Sequence, residues 1–179
     1  MAYTVEQSEW VYRGRAFQVR KDRVRLPDGG IAQLDIVQHV GAVTIVPVDA
    51  DDQVWFVRQY RHATGKDLLE LPAGTIEPGE PPEVCAAREI REEIGMRAGT
   101  LRKLGELYLA PGYSTEYMHV FQATGLVPDP LPGDQDEFLS VERYPLAEVD
   151  RLVRLGEIQD GKSLAGIYLL RLSAAPAKV

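Results

Sequence analysis

The chain has 179 residues, a formal net charge of −7 and a sequence pI near 5.0. This length suits one domain with an appendage and requires no second full domain. The acidic balance argues against a general nucleic-acid-binding surface, which needs a clustered basic footprint, so we expect no nucleic-acid partner.

The number of cysteines and the length of the apolar runs indicate the cellular compartment in which the protein is expected. The single cysteine, Cys85, excludes an internal disulfide and predicts a reducing, cytoplasmic location. Residues 1–18 have no apolar signal core, and no segment approaches the run of about 18 apolar residues that a membrane span needs. We therefore expect no membrane partner, and we expect Cys85 to be a packed side chain rather than a reactive thiol.

The first 40 residues are predicted to form a small antiparallel β-segment ahead of the main domain. Apolar and polar residues alternate from Trp10 to His39, as in half-buried strands. The turn-forming residues at 27–30 interrupt this alternation. The predicted division is therefore residues 1–40 and residues 41–179.

The main domain is predicted to have an α/β fold with a mixed sheet between helices. Two apolar runs, 42–48 and 54–60, indicate a buried hairpin, and residues from Gly65 to Gly74 are expected to be irregular. The later elements, in chain order, are a helix from Pro81 or Pro82 to a C-cap at Gly95, strands at 101–108, 117–123 and 138–144, and helices at 145–155 and 163–173.

The predicted helix that ends at Gly95 carries an acidic cluster that folding alone does not favour. Glu89 and Glu93 are four residues apart, where like charges on one face destabilise a helix by roughly 0.2–0.5 kcal/mol. A bound cation would explain the spacing. The alternative is a solvated helix with i,i+4 ion pairs, which fits Arg88 and Glu92 but leaves Glu89 and Glu93 unexplained.

From Gly74 to Met96 the sequence follows the pattern G-x5-E-x7-R-E-I-x-E-E-x-G-M. This segment resembles the Nudix box, the signature of the Nudix hydrolases. The resemblance implies the Nudix fold, an α/β/α sandwich, here preceded by the N-terminal antiparallel β-segment. It also implies hydrolysis of a nucleoside diphosphate linked to another moiety, with Mg²⁺, or alternatively Mn²⁺, held by oxygen ligands.

The resemblance assigns roles to individual residues of the box. Glu89 and Glu93 would be the main metal ligands, Glu92 a further ligand or outer-shell partner, and the carbonyl of Ala73 a backbone ligand. Arg88 would orient the glutamates through charge-assisted hydrogen bonds. Structural roles within the motif fall to Gly74, Glu80 and Gly95.

The catalytic base is expected on the acidic loop 133–138, where relatives that cleave ADP-ribose often carry a glutamate. Glu137 is the first candidate, followed by Asp136 or Glu92. The alternative is an ordinary acidic turn before a strand.

Three short segments outside the box look like the ADP-ribose pyrophosphatase branch of the family. They are Arg58–Arg61, Glu70–Gly74 and Ala110–Gly112, and Pro111 lies 15 positions beyond Met96. The implied reaction is hydrolysis of ADP-ribose to AMP and ribose 5-phosphate. The alternatives are another nucleoside diphosphate derivative, such as GDP-mannose, another nucleotide sugar or NADH, and, remotely, a non-catalytic nucleotide-sensing module.

The same resemblance suggests substrate contacts and a homodimer. Arg61 would bind the diphosphate, with Arg58 as second choice because strand alternation can turn either side chain outward. Trp10 and Tyr12 are candidates for stacking on adenine, although a strand aromatic is more often part of a core. Pro111 is assigned as a further substrate contact, and Glu116 as a contact to the ribose or to a metal. In relatives the leading β-segment is exchanged across a homodimer.

Overall fold

The computed structural model describes residues 2–133 and 138–174, and its contacts divide the chain into two compact units. The first unit runs to Gly41 and includes Leu107–Tyr117, while the second contains Ala42–Glu106 and the chain from Met118 onward. Residues 107–117, which the sequence places in the main domain, therefore lie in the first unit. Within the described residues, no helix is long and apolar enough to cross a membrane.

The first unit is built on a three-stranded antiparallel sheet in the order β1-β2-β3. These strands are β1 (Thr4–Arg13), β2 (Gln18–Arg25) and β3 (Ile31–Gln38). Gly29, with φ of +89°, occupies the turn between β2 and β3, a conformation that glycine adopts without a steric penalty. The end of β3 is joined to residues 107–117, because the Val37 amide donates to the Tyr113 carbonyl at 2.8 Å.

The second unit contains the remaining elements, except for residues 107, 108 and 117, which lie at the ends of two strands and belong to the first unit. The elements are β4 (Ala42–Pro47), β5 (Gln53–Arg61), β6 (Lys66–Glu70), β7 (Ala73–Thr75), α1 (Pro82–Glu93), β8 (Met96–Arg97), β9 (Thr100–Tyr108), β10 (Tyr117–Thr124), β11 (Val127–Pro128), β12 (Leu139–Pro145), α2 (Leu146–Arg154) and α3 (Gly161–Ala174). Their sheets have the orders β7-β4-β10-β9, β12-β5-β6 and β11-β8.

The predicted hairpin of β4 and β5 is wrong in its pairing. The two strands lie in different sheets and share only the bridge between Val48 and Val54. β4 instead pairs in parallel with β10 and antiparallel with β7. All six of its residues are buried, and a strand covered on both faces is typical of a sheet interior.

β4 and β5, although they belong to different sheets, both have helices packed against their two faces. Val43, Ile45 and Val57 pack with α1, whereas Val46 and Phe56 pack with α2 and α3. Alternation along each strand therefore sends successive side chains into two separate cores. The α/β/α sandwich predicted from the sequence is confirmed within this unit.

The segment expected to be irregular contains two short strands, β6 and β7. β6 has only five residues and begins with two polar ones, so its apolar pattern is too short to read from the sequence. Pro72, which has no amide hydrogen to donate, separates it from β7, and the Pro72 carbonyl accepts from the Ile45 amide at 2.8 Å.

Cys85 lies on α1 and is completely buried. Burial raises the pKa of its thiol, so the thiol stays protonated at neutral pH. The prediction that Cys85 is a packed side chain is consistent with this position.

Candidate active site

The helix α1 presents carboxylates from a largely buried side. Pro82 occupies its first turn, and Gly95, with φ of +70°, follows its C-cap. Ile90 is fully buried on this helix, while Glu89 and Glu93 are each only 8% exposed. Carboxylates are rarely buried unless they are paired, hydrogen-bonded or bound to a metal.

Arg88 connects three glutamates of the box. Its Nη1 donates to Glu89 Oε1 at 2.7 Å and to Glu92 Oε2 at 2.8 Å. Its Nε and Nη2 donate to the two carboxylate oxygens of Glu80, each at 3.0 Å. One guanidinium shared by three carboxylates leaves this group with a net negative charge, which attracts a further cation.

Glu80 ties the signature loop to the helix. Its Oε2 accepts a hydrogen bond from the Glu77 amide at 3.0 Å, and its carboxylate receives the fork of Arg88. The hydrogen bonds from Arg88 lower the pKa of Glu80 to about 2. The carboxylate is therefore ionised throughout the neutral range, and the loop is held through a charge-assisted contact.

Ala73 and Gly74 bring the backbone of β7 against the glutamates of α1. The Ala73 amide donates to Glu93 Oε2 at 2.9 Å. A Cβ at Gly74 would stand 1.9 Å from the carboxylate carbon of Glu89, well inside any allowed contact. Only glycine therefore lets this carboxylate lie directly against the backbone.

The donor set suits a hard divalent cation. Glu89, Glu92 and Glu93 offer carboxylate oxygens, and Mg²⁺ is commonly bound by one or two carboxylates together with waters and substrate phosphates. Among the described residues, no three carboxylate, imidazole or thiol groups lie together as a metal-binding group.

Strand alternation separates the two arginines considered for the diphosphate. Arg61 lies on the same face of β5 as Val57, which packs with α1, and it donates to both carboxylate oxygens of Glu70 at 2.9 and 2.7 Å. Arg58 lies on the opposite face and pairs with Glu142 on β12. Arg61 is therefore the one of these two arginines that lies on the face of α1.

Glu70 belongs to a charge network that sequence reasoning did not connect. It is 2% exposed, and Lys162, in the first turn of α3, contacts the oxygen that also receives Arg61. Burial raises the pKa of Glu70, but the hydrogen bonds and charges of Arg61 and Lys162 outweigh it and lower the pKa overall. The sequence offers one local signal for the position of Lys162. Asp160 precedes α3 as an N-cap residue, and its carboxylate accepts a hydrogen bond from the Ser163 amide at 3.1 Å.

Similarity to known proteins agrees with this geometry. Residues 38–165 match the model of the NUDIX domain. The chain belongs to the NUDIX family. Residues 3–33 of this NUDIX protein match the nucleoside diphosphate sugar hydrolase N-terminal domain. The family prediction made from the box is confirmed.

Individual relatives cover most of the NUDIX chain. ADP-ribose pyrophosphatase of Mycobacterium tuberculosis is 44% identical over 163 residues, covering 89% of this chain and 79% of the relative. ADP-ribose pyrophosphatase of Bacillus subtilis is 34% identical over 169 residues, covering 93% and 91%. A crystal structure of an ADP compounds hydrolase has a TM-score of 0.89 at 30% identity, covering 97% of this chain and 94% of that one.

The remaining predicted residues either are not described by the structure or belong to the first unit. Glu137 and Asp136 lie outside the described residues. Trp10 and Tyr12 lie on β1 of the first unit, both exposed, and the guanidinium carbon of Arg13 stands 5.4 Å from the Trp10 ring centroid.

The other two predicted substrate contacts also belong to the first unit. Pro111 is exposed, and the Glu116 amide donates to the Ser114 hydroxyl at 3.1 Å. The roles of these residues in substrate binding stay predictions.

Replacing Gly74 with alanine tests the close approach of Glu89. The added methyl must displace the carboxylate, so we expect Mn²⁺ affinity to fall about 10- to 100-fold, with turnover lost in parallel. Isothermal titration with Mn²⁺ measures the affinity. Gly30→Ala is the matched control, because its methyl would meet the exposed Asp28 carboxylate at 3.1 Å and Leu26 Cδ1 at an ordinary contact distance of 3.6 Å. Wild-type Mn²⁺ affinity in Gly74→Ala would contradict the assignment.

Proposed function

We propose that this NUDIX protein hydrolyses ADP-ribose with water to AMP and ribose 5-phosphate, using Mg²⁺ held at α1. The observation that carries the proposal is the buried pair Glu89 and Glu93, packed against the backbone of Ala73 and Gly74. The choice of substrate is supported by the relatives named ADP-ribose pyrophosphatase, which match most of the chain.

In this proposal the box residues form the metal site. Glu89 and Glu93 are the principal ligands, Glu92 is a further ligand or outer partner, and Ala73 contributes its carbonyl. When bound there, Mg²⁺ neutralises diphosphate charge and lowers the pKa of a coordinated water. Arg88 fixes the rotamers of Glu89 and Glu92, so these carboxylates need no reorganisation during the reaction.

Two further residues complete the proposed mechanism. Arg61 binds the diphosphate, since its planar fork matches phosphate oxygens and Glu70 holds it in position. Glu137, predicted from the sequence, accepts the proton of the attacking water. The water oxygen bonds to phosphorus, the bridging phosphorus–oxygen bond breaks, and the departing phosphate takes the bonding electrons.

We further propose a cytoplasmic homodimer that associates through the first unit. All ten residues of β1 are exposed, and they include Val5, Trp10 and Val11. An edge strand that exposes apolar side chains is a typical docking surface for a second chain. The cytoplasmic location rests on the single buried cysteine.

A substrate panel with the Glu93→Gln variant tests the reaction. We expect AMP from ADP-ribose in the presence of Mg²⁺, less turnover with GDP-mannose or NADH, and no turnover after EDTA treatment. Glu93→Gln should abolish turnover without lowering the melting temperature, because it removes a ligand and a crowded charge. Ion-exchange chromatography of the products measures the outcome. A variant as active as wild type would refute the ligand assignment.

The base is tested by Glu137→Gln. A general base contributes about 10²- to 10⁴-fold, so we expect kcat to fall by that factor while Mn²⁺ affinity stays near the wild-type value. Pre-steady-state quench-flow measures the chemical step. A small effect on kcat would move the base to α1, with Glu92 as the next candidate.

The two arginines of β5 provide a matched pair of variants. Arg61→Lys loses the bidentate fork, and we expect KM for ADP-ribose to rise roughly 10- to 100-fold, as loss of a charged hydrogen bond does. Arg58→Lys should leave KM within about twofold, because Arg58 faces the opposite core and binds Glu142. Steady-state kinetics compares them. Equal effects would contradict the assignment by strand face.

Val11→Glu tests the proposed dimer. A charge on β1 should break an apolar interface, so we expect wild-type protein to elute as a dimer and this variant as a monomer in size-exclusion chromatography with light scattering. Val127→Glu, at an exposed valine of β11, serves as control and should stay dimeric. A monomeric wild type would refute the proposal.

A further inference from the structure

Gln59 has a buried acceptor that the fold does not satisfy. The residue lies on β5 and is 8% exposed, and its Oε1 has no hydrogen-bond partner in the part of the chain that the structure describes. Buried polar side chains nearly always have a partner, and an orphaned acceptor destabilises a fold. The acceptor is therefore available to a donor from outside the described residues.

Two other buried atoms without partners have a simpler explanation. Asp160 Oδ1 belongs to a carboxylate whose other oxygen binds Lys162 and the Ser163 amide. Arg171 Nε belongs to a guanidinium whose Nη2 already donates to the Leu146 carbonyl at 2.7 Å. Gln59 differs from both, because Oε1 is the sole acceptor of its amide.

The strand register places Gln59 on the face of the metal-site helix. Gln59 lies between Val57 and Arg61 on one face of β5, and Val57 packs with α1. Its cross-strand partners are Leu68 on β6 and Leu139 on β12. The orphaned acceptor and the arginine assigned to the diphosphate are thus successive side chains on the same face.

The chemistry of the missing partner follows from what each part of a nucleotide sugar can donate. Diphosphate oxygens carry no hydrogen that could be donated to Oε1, whereas a sugar next to the diphosphate carries hydroxyl groups. We propose that Gln59 Oε1 accepts a hydrogen bond from a ribose hydroxyl of the substrate, beside the phosphate that Arg61 binds. This inference rests on the proposed function.

Gln59→Met separates this role from a structural one. Methionine keeps the length of the side chain and removes the acceptor, so we expect the melting temperature to stay the same or rise while kcat/KM for ADP-ribose falls about 10- to 100-fold. Gln53→Met is the matched control at the other end of β5, where the Gln53 amide donates to the Asp51 carbonyl. This control should retain wild-type kcat/KM.

Two modified substrates identify the hydroxyl. An ADP ester of butanol lacks the terminal ribose, and an ADP-ribose analogue with a 2′,3′-dideoxyadenosine half lacks the hydroxyls of the nucleoside ribose. The substrate on which Gln59→Met no longer differs from wild type reveals which ribose donates. An equal loss of kcat/KM on all three substrates would overturn the proposal, since the donor would then be a water.

The remaining outcomes distinguish this inference from the proposed function. A lowered melting temperature with unchanged kcat/KM would overturn the inference, because Oε1 would then serve the fold through a structural water. Wild-type protein that fails to hydrolyse ADP-ribose would overturn the proposed function itself. An active wild type matched by Gln59→Met would overturn only the role of Gln59.

Discussion

The close packing of the Glu89 carboxylate against the backbone at Gly74 is the contact on which the rest of the site depends. It requires a residue without a side chain at 74 and a helix held near the loop. That helix is fixed by Ile90 and Cys85 in the core behind it. Apolar burial thus holds two like-charged groups together that would repel each other on an isolated helix.

Ion pairs also stabilise the arrangement. Arg88 and Glu80 connect the helix to its loop, and Glu70 joins Arg61 to Lys162 at the edge strand β6. In both groups a carboxylate with little solvent exposure receives more than one donor, which offsets its desolvation. Glu70 and Glu80, the carboxylates that receive these donors, lie on opposite sides of Pro72 in the sequence.

The two faces of β5 pack against different helices because alternate side chains of a strand point in opposite directions. Phe56 and Arg58 belong to the side of α2 and α3, whereas Val57, Gln59 and Arg61 belong to the side of α1. The same strand therefore carries a core residue, an acceptor without a partner among the described residues and a guanidinium on the side of α1. A shift of one residue in register would exchange the two sets.

The sequence by itself determined the family, the α/β/α architecture and the helix that carries the glutamates, because Pro82, Gly95 and the spacing of the box are local signals. It also named Glu89, Glu93 and Arg88. Only the tertiary structure decided that β4 pairs with β10 rather than β5, that Arg61 and not Arg58 faces α1, and that Lys162 reaches Glu70. Periodicity along a chain reports which side of an element is apolar, whereas strand partners and contacts across 90 residues depend on how the elements pack in three dimensions.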